Sequence, residues 1–281
     1  MIKREKYIEA IREFYDSDLI KVITGIRRCG KSVILQQIAS EIQETSDNII
    51  YLDFDDTAIL NSIPDEMALI KYVDTHKKDS LCYVFLDEVQ RMEGWSSACR
   101  TLRLRNCSVF ISGSNSKLLS REFTKELSGR YVSFRIHPFV YRELREYGNE
   151  LGRDISLTDY IIWGGFPKRI EYNSEQGQRI YLNELNETII LNDIINRYSI
   201  RKTEVFKRIA NYVFVSNGRI VSARSIEKYM RGTGLSCSVT TIAKYIGYLE
   251  EAYAIISLKR YSPKTKRELE YHIKSYNEDV S

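Results

Sequence analysis

Residues 25–32, GIRRCGKS, limit the fold of this chain more than any other stretch. They follow the apolar run LIKVIT (19–24), which is typical of a buried strand. They precede SVILQQIASEIQ (32–43), whose apolar residues recur at helical spacing. A loop of the form GxxxxGK[ST] between a strand and a helix is typical of phosphate binding. The sequence therefore predicts an α/β core with such a loop after its first strand.

The alternation of strand and helix continues through the first half of the chain. Four further apolar runs predict strands: NIIYLDF (48–54), LCYVFLDE (81–88), CSVFISGS (107–114) and YVSFRIH (131–137). Helical spacing recurs in DEMALIKYVDTH (65–76) and WSSACRTLRL (95–104), and also at the start of the chain. The predicted fold class is therefore α/β, a P-loop NTPase parallel sheet with flanking helices.

The loop residues have distinct expected roles. The glycines let the backbone wrap a phosphate with its N–H groups, and the following helix points its positive end at the same place. Lys31 is expected to reach the β- and γ-phosphates, and the Ser32 hydroxyl to bind Mg²⁺. The alternative is a glycine turn with a surface lysine. The predicted nucleotide-binding residues are Gly25, Ile26, Arg27, Arg28, Cys29, Gly30, Lys31, Ser32 and Val33.

An acidic pair ends the third predicted strand. Asp87 and Glu88 follow a run of apolar residues, and ligands bind at the carboxyl ends of strands in open α/β sheets. Asp87 is expected to hold Mg²⁺, directly or through water. Glu88 is expected to polarise the attacking water as general base. This second carboxylate favours hydrolysis over a pure switch.

Two further residues are candidates for contact with the terminal phosphate. FISGSN ends the fourth predicted strand, and Asn115, preferred over Ser114, is expected to sense the γ-phosphate. Capping of the next helix is an alternative role for Asn115. Arg130 precedes the fifth strand and is expected to stabilise transition-state charge in its own chain or in a neighbour, unless it forms a surface salt bridge. The absence of an NKxD-like guanine motif favours adenine.

Composition excludes several classes of protein. No apolar run is long enough to span a membrane, and the charged N-terminus is not a secretory signal. The five cysteines form no CxxC pair, and three histidines add no ligand cluster, so a zinc site or a disulfide framework is not expected. A reducing cytoplasm is the expected compartment.

The pattern changes after Pro138, where helical spacing predominates. From residue 204, three helical patterns with short glycine turns and then a strand predict a winged helix. The predicted organisation is an ATPase core at 1–137, a helical lid at 138–201, a winged-helix domain at 202–267 and a tail at 268–281.

The last third of the chain is basic. Residues 201–267 hold 14 Lys and Arg against 4 Asp and Glu, which favours an acidic partner, with duplex DNA as the first candidate and a solvated surface as the alternative. Ser238, Thr240, Thr241 and Lys244 lie on the predicted recognition helix, where Tyr245, Tyr248 and Leu249 are expected to be core. Lys259, Arg260, Lys264, Lys266 and Arg267 lie on the predicted wing.

With both halves of the site in place, the chain resembles the AAA-type P-loop ATPases. It is most similar to a prokaryotic ATP-binding family that carries a C-terminal domain of unknown function. The stretches that carry the resemblance are TGIRRCGKS, FLDEVQRMEGW, ISGSNSKLLS, LSGRY, PFVYREL, WGGFP, NDIINRY and SVTTIAKYIGYLEEAYAI. The resemblance implies a lid that closes over the base and adenine contact by Pro167. It also permits oligomers, in which Arg130 could act in trans. A helix-breaking turn is the simpler explanation of Pro167. Members of the family continue further, so the C-terminal domain is expected to be truncated here.

These observations predict an ATP-hydrolysing switch, with ATP and Mg²⁺ as ligands, whose nucleotide state moves the basic winged helix. The alternative is a DNA- or protein-binding adaptor that holds ATP or ADP with little turnover. A relic that has lost its effector is a third hypothesis. No membrane partner is expected, and the chain is expected to be able to form homo-oligomers.

Overall fold

The computed structural model describes residues 2–114, 127, 129–258 and 273–279, with the backbone alone described at 188–190 and 273. The chain divides into two compact units, Met1–Arg153 and Asp154–Ser281.

The first unit is built on a five-stranded parallel sheet. Its strands are β1 (Ile20–Thr24), β2 (Ile49–Asp53), β3 (Cys82–Asp87), β4 (Cys107–Gly113) and β5 (Tyr131–Arg135). Their order across the sheet is β2-β3-β4-β1-β5, and all neighbouring pairs are parallel. The five predicted strands and the α/β class are therefore confirmed.

Helices connect these strands and cover the sheet. They are α1 (Glu5–Arg12), α2 (Lys31–Gln43), α3 (Thr57–Ser62), α4 (Glu66–His76), α5 (Trp95–Arg103) and α6 (Tyr141–Glu150). The short helix α3 was not predicted from periodicity; it begins where the Asp56 side chain accepts a hydrogen bond from the Ala58 N–H. Apolar side chains of the sheet, α4 and α5 form a continuous buried core.

The strand order places the carboxyl ends of β3, β4 and β1 side by side. Because β4 lies between β1 and β3, its carboxyl end separates the loop after β1 from the acidic pair after β3. All five residues of β1 and all seven of β4 are buried, as expected for central strands of a parallel sheet. The residues that follow these strands are therefore positioned by a buried part of the sheet.

The second unit begins with helices and ends with a small antiparallel sheet. The helices are α7 (Leu157–Trp163), α8 (Glu175–Glu184), α9 (Asn192–Arg197), α10 (Thr203–Val215), α11 (Ala223–Gly232) and α12 (Val239–Glu251), with a 3₁₀ turn at Pro167–Glu171 and a π-helical segment at Leu185–Leu191. The strands are β6 (Ile220–Val221), β7 (Ile255–Leu258) and β8 (Ile273–Asn277), in the order β6-β8-β7. A second apolar core joins α10, α11 and α12.

Residues 273–277 of the predicted tail form a strand of this unit. The predicted tail contains β8, which pairs with β6 on one side and with β7 on the other. It is the central strand of its sheet, because its backbone forms hydrogen bonds with both neighbouring strands. Strand pairing across more than 50 residues leaves no local pattern, which is why the sequence alone missed it.

The division at Arg153 also differs from the predicted boundary near Pro138. Helix α6 belongs to the first unit, where Glu143 pairs with Arg4. Within the described part of the chain, no helix is long and apolar enough to cross a membrane.

Candidate functional site

The loop after β1 has a backbone that only certain residues tolerate. Gly25 has a φ of 146°, and a Cβ there would lie 2.1 Å from the carbonyl oxygen of Ile136, so no larger residue fits. Gly30 adopts φ of 100° immediately before α2. Arg28 is exposed and also has a positive φ, 69°, which is uncommon for a residue with a side chain. The Cys29 thiol is buried and donates to the Ile136 carbonyl at 3.4 Å.

Lys31, the first residue of α2, turns its side chain inward. It is 4% exposed, and its Nζ donates to the carbonyl oxygens of Gly25 and Ile26 at 3.3 and 3.2 Å. The same Nζ lies 3.9 Å from Oε1 of Glu88. The predicted lysine and the predicted base, 57 positions apart, thus meet at one edge of the sheet.

Asp87 is held rigidly at the end of β3. It is 1% exposed; its Oδ1 accepts from the Ser112 hydroxyl and from the Glu88 N–H, and its Oδ2 accepts from the Tyr51 hydroxyl at 3.3 Å. Burial, followed by the charge of Asp87, raises the pKa of Tyr51, so this phenol stays protonated as a donor. Burial also raises the pKa of Asp53, which lies beside Asp87 in the sheet register.

Glu88 adopts the left-handed conformation, with φ of 47° and ψ of 43°. This backbone turns the chain away from the strand direction directly after Asp87, and such strained residues concentrate at functional sites. Glu88 Oε2 accepts from Gln90 Nε2 and from the Ser114 hydroxyl, the latter at 3.4 Å. The carboxylate is therefore fixed by donors on its own turn and directly after β4.

A buried arginine lies behind the loop and was not identified from the sequence. Arg4 is 2% exposed and donates to the carbonyl oxygens of Cys29 and His137 at 3.3 and 3.0 Å. Its guanidinium also lies over the rings of Tyr7 and Phe139. One arginine of the N-terminal segment thus binds the loop and the chain after β5. An isolated arginine before an amphipathic helix gives no signal of this role.

Not every predicted site residue joins this group. Arg130 lies at the amino-terminal ends of the strands, opposite the loop and the acidic pair, because its carbonyl accepts from the N–H of Ile20, the first residue of β1. A five-residue strand spans about 13 Å, so its side chain starts far from the loop. The structure does not bring Arg130 together with the other predicted residues of its own chain, and a role in a neighbouring chain stays a prediction.

Two other predicted residues are not placed at the site either. Asn115 lies outside the described residues, whereas Ser114, the alternative to it, contacts Glu88. Pro167 begins the 3₁₀ turn of the second unit, where the neighbouring Gly165 N–H donates to the Asp279 carboxylate at 2.8 Å. Its contact with adenine stays a prediction.

The predicted recognition helix is α12. Tyr245 and Leu249 are buried in the second core, and Tyr248 packs against it half-buried. Ser238 caps the helix by accepting from the Thr241 N–H, so its hydroxyl has a structural role. Lys244 is exposed. The five predicted basic residues of the wing lie outside the described residues.

The comparisons with known proteins divide the chain into two family regions. The model of an AAA domain (AAA_14) matches residues 17–145, and a domain of unknown function (DUF8612) matches residues 154–281. The expected truncation of the C-terminal domain is not confirmed, because the second region matches through residue 281.

Several solved structures are similar to most of the chain at low sequence identity. They include a RuvB structure from Thermotoga maritima, with 15% identity over 96% of this chain and 95% of that chain and a TM-score of 0.45. The replication initiator DnaA bound to AMPPCP and single-stranded DNA has 18% identity over 88% and 86% and a TM-score of 0.45. AMPPCP-bound DnaA from Aquifex aeolicus has 16% identity over 89% of each chain and a TM-score of 0.44.

Two relatives are more similar in sequence. An uncharacterized protein from Methanocaldococcus jannaschii is 30% identical over 88% of this chain, which spans 58% of that protein. An uncharacterized protein from Haemophilus influenzae is 32% identical over 98% of this chain, which spans 71% of that protein. The chain therefore belongs to the same family as the Haemophilus influenzae protein, with an AAA domain followed by a domain of unknown function.

Proposed function

We propose that the first unit binds ATP with Mg²⁺ and hydrolyses it to ADP and phosphate. The observation that carries this proposal is the 3.9 Å approach of the Lys31 ammonium to the Glu88 carboxylate, at the end of a GxxxxGKS loop. A lysine for phosphate charge and a carboxylate for the attacking water are the two groups that phosphoanhydride hydrolysis needs in one place.

The residues present suit Mg²⁺. Asp87 already accepts three protein hydrogen bonds, and a carboxylate offers about four acceptor positions, so one remains for a metal ion or a metal-bound water. Ser32 lies in the first turn of α2, next to Lys31. Mg²⁺ usually keeps several waters and binds through one or two carboxylates and the substrate phosphates. When bound, the ion supplies charge neutralisation at the β- and γ-phosphates.

The roles of the chain's own residues follow from their contacts. The loop N–H groups bind phosphate oxygens, and Lys31 exchanges its contacts with the Gly25 and Ile26 carbonyls for the phosphates. Glu88, fixed by its neighbours, takes a proton from the attacking water. The Ser112 and Tyr51 hydroxyls hold the Asp87 carboxylate in its orientation.

ATP turnover by the purified chain with Mg²⁺ tests this proposal. Glu88→Gln is expected to reduce kcat by about 10²- to 10⁴-fold while nucleotide binding survives, because only the base is lost. Lys31→Ala is expected to weaken nucleotide binding itself. Lys71→Ala, an exposed lysine on α4, is the control and should behave like the wild type. Turnover that persists in Glu88→Gln would exclude Glu88 as the base.

The second proposal concerns the basic region 201–267 together with β8, the strand that completes its sheet. The order α10-β6-α11-α12-β7-β8, with a three-stranded antiparallel sheet, supports a winged helix. Exposed Arg224, Lys228 and Lys244 on α11 and α12 support contact with duplex DNA. In this proposal the exchange of ATP for ADP changes the orientation of this domain, which makes the chain a switch.

DNA binding is tested by fluorescence anisotropy with a labelled duplex over a range of salt concentrations. Lys244→Ala is expected to weaken binding and to reduce the salt slope by about one. Lys6→Ala, an exposed lysine of the first unit, is the matched control. If no binding occurs at low salt, DNA is not the partner, and a protein partner for this domain becomes the better hypothesis. Tight ATP binding without turnover, with or without DNA, would favour the nucleotide-holding adaptor.

A further inference from the structure

Gln90 occupies a position that neither its sequence pattern nor the family matches assign to the site. It lies in the 3₁₀ turn Val89–Arg91, two residues after Glu88, whose backbone is left-handed. Its side-chain Nε2 donates to Glu88 Oε2, whereas its Oε1 is buried and has no hydrogen-bond partner among the described residues. The amide nitrogen therefore has a hydrogen-bond partner in the Glu88 carboxylate, whereas the amide oxygen is an acceptor without a donor among the described residues.

The orientation of this amide follows from the charge of Glu88. An ionised carboxylate only accepts hydrogen bonds, so the NH₂ group must face Oε2. The reverse orientation would place two acceptor oxygens against each other. The amide oxygen is then forced into the buried position without a donor. A buried acceptor of this kind is paired in most structures, often with an ordered water.

The two oxygens of Glu88 have different surroundings. Oε2 accepts from Gln90 and from Ser114, while Oε1 faces Lys31 at 3.9 Å, beyond hydrogen-bond distance. Gln90 and Ser114 therefore fix the carboxylate through one oxygen and leave the other facing the place where the loop would hold the terminal phosphate.

From these contacts we propose that Gln90 is a further catalytic residue, one that binds the attacking water through its amide oxygen while its amide nitrogen holds Glu88. This inference rests on the proposed function. The water oxygen bonds to the γ-phosphorus, and the bond from that phosphorus to the bridging oxygen breaks, leaving its electron pair on ADP. One water proton passes to Glu88 Oε1 and later to the released phosphate or solvent; the other hydrogen donates to Gln90 Oε1. The balance is ATP and water giving ADP and phosphate.

The test compares Gln90→Met, which keeps the length of the side chain and removes both polar groups, with Gln43→Met. Gln43 is exposed at the end of α2, so the same substitution there is the matched control. Gln90→Met is expected to lower kcat by about 100-fold with KM changed less than about threefold. Gln90→Glu is nearly isosteric and replaces the donor by a second carboxylate, so it is expected to lose a similar factor. Gln90→Glu also provides the test if circular dichroism shows that Gln90→Met does not fold.

A binding measurement separates this role from a structural one. ADP with aluminium fluoride mimics the phosphoryl group with the attacking water in place, whereas AMPPNP mimics ATP before attack. We expect both Gln90 variants to bind ADP with aluminium fluoride at least about tenfold more weakly than the wild type and to bind AMPPNP normally. Equal loss of both ligands would mean that Gln90 only supports the site, and kcat within about threefold of the wild type would overturn the inference while the ATPase proposal stands. A wild-type chain that neither binds nor hydrolyses ATP would reject the ATPase proposal and this inference together.

Discussion

Arg4 and Glu143, 139 positions apart, form an ion pair through two parallel hydrogen bonds, each 2.9 Å long. The guanidinium is buried, and the carboxylate is mostly buried as well, with 17% of its side chain exposed. The same Arg4 binds the Cys29 carbonyl of the phosphate-binding loop. The pair therefore joins the N-terminal segment, the loop and the start of α6 from behind the site.

Removal of one member of this pair is expected to destabilise the first unit. Arg4→Met removes the ion-pair partner of Glu143 and the guanidinium that donates to the Cys29 and His137 carbonyls, and we expect a loss of about 3–5 kcal/mol in the free energy of unfolding. Arg4→Lys should lose less, because it keeps the charge but cannot make the paired contact. Urea denaturation measures both. Lys3→Ala, whose exposed side chain lies next to Arg4 in sequence, should stay within about 0.5 kcal/mol of the wild type. Equal stability of Arg4→Met and the wild type would contradict the structural role of the pair.

The two glycines of the loop are expected to differ in their tolerance of alanine. A Cβ at Gly25 would meet the Ile136 carbonyl at 2.1 Å, whereas a Cβ at Gly30 would have nothing within 4 Å. Gly30→Ala should therefore cost only the strain of its positive φ, about 1–3 kcal/mol, and remain folded. Gly25→Ala should displace the loop from the chain after β5. Thermal unfolding compares the two, and a larger loss for Gly30→Ala would show that backbone strain outweighs the clash.

Lys21 is expected to make stability depend on pH. It is fully buried in β1, and its Nζ donates to the Ser17 carbonyl at 3.1 Å and to the Ser108 hydroxyl at 2.7 Å. Burial lowers the pKa of Lys21 to about 7 from its ordinary value of 10.5, although Asp16 and Asp18 act in the opposite direction. The folded-state pKa is thus below the unfolded one. Between about pH 7 and 10.5 the unfolded chain binds more protons, so the contribution of Lys21 to stability rises with pH.

Lys21→Met tests this dependence. The difference in unfolding free energy between the variant and the wild type should be largest in favour of the variant below about pH 7 and should shrink above it, by at most about 1.4 kcal/mol per pH unit. Lys71→Met, at an exposed position, should leave the pH profile of the wild type unchanged. A difference that stays constant from about pH 6 to about pH 10 would show that Lys21 titrates alike in both states.

The central position of β8 predicts different effects for two substitutions at Ser275. Its N–H donates to the Arg219 carbonyl at 3.3 Å, so Ser275→Pro removes this hydrogen bond and is expected to destabilise the second unit by about 3 kcal/mol or more. Its hydroxyl is buried without a partner among the described residues, so Ser275→Ala should be neutral or stabilising. Thermal unfolding distinguishes them. If the C-terminal residues formed a loose tail, both variants would melt with the wild type.

Parts of the site were predictable because their signals are local. The loop residues, Lys31 and the Asp87–Glu88 pair each follow a strand within a few positions, and strand and helix periodicity placed those strands correctly. Gln90 and Ser112 gave no such signal. Gln90 contacts Glu88 within the 3₁₀ turn that follows β3, and Ser112 reaches Asp87 because β4 lies beside β3.

The sequence by itself determined the strand–loop–helix unit, the acidic pair and the alternation of elements, because apolar spacing and glycine chemistry act over a few residues. Only the tertiary structure decided the order of the strands, the place of Arg4 behind the loop, the position of Arg130 at the amino-terminal ends of the strands and the central place of β8. These depend on hydrogen bonds and packing between segments tens of residues apart. Many strand pairings are compatible with the same local pattern of apolar residues. The folded chain adopts the pairing in which its buried backbone N–H and C=O groups find hydrogen-bond partners.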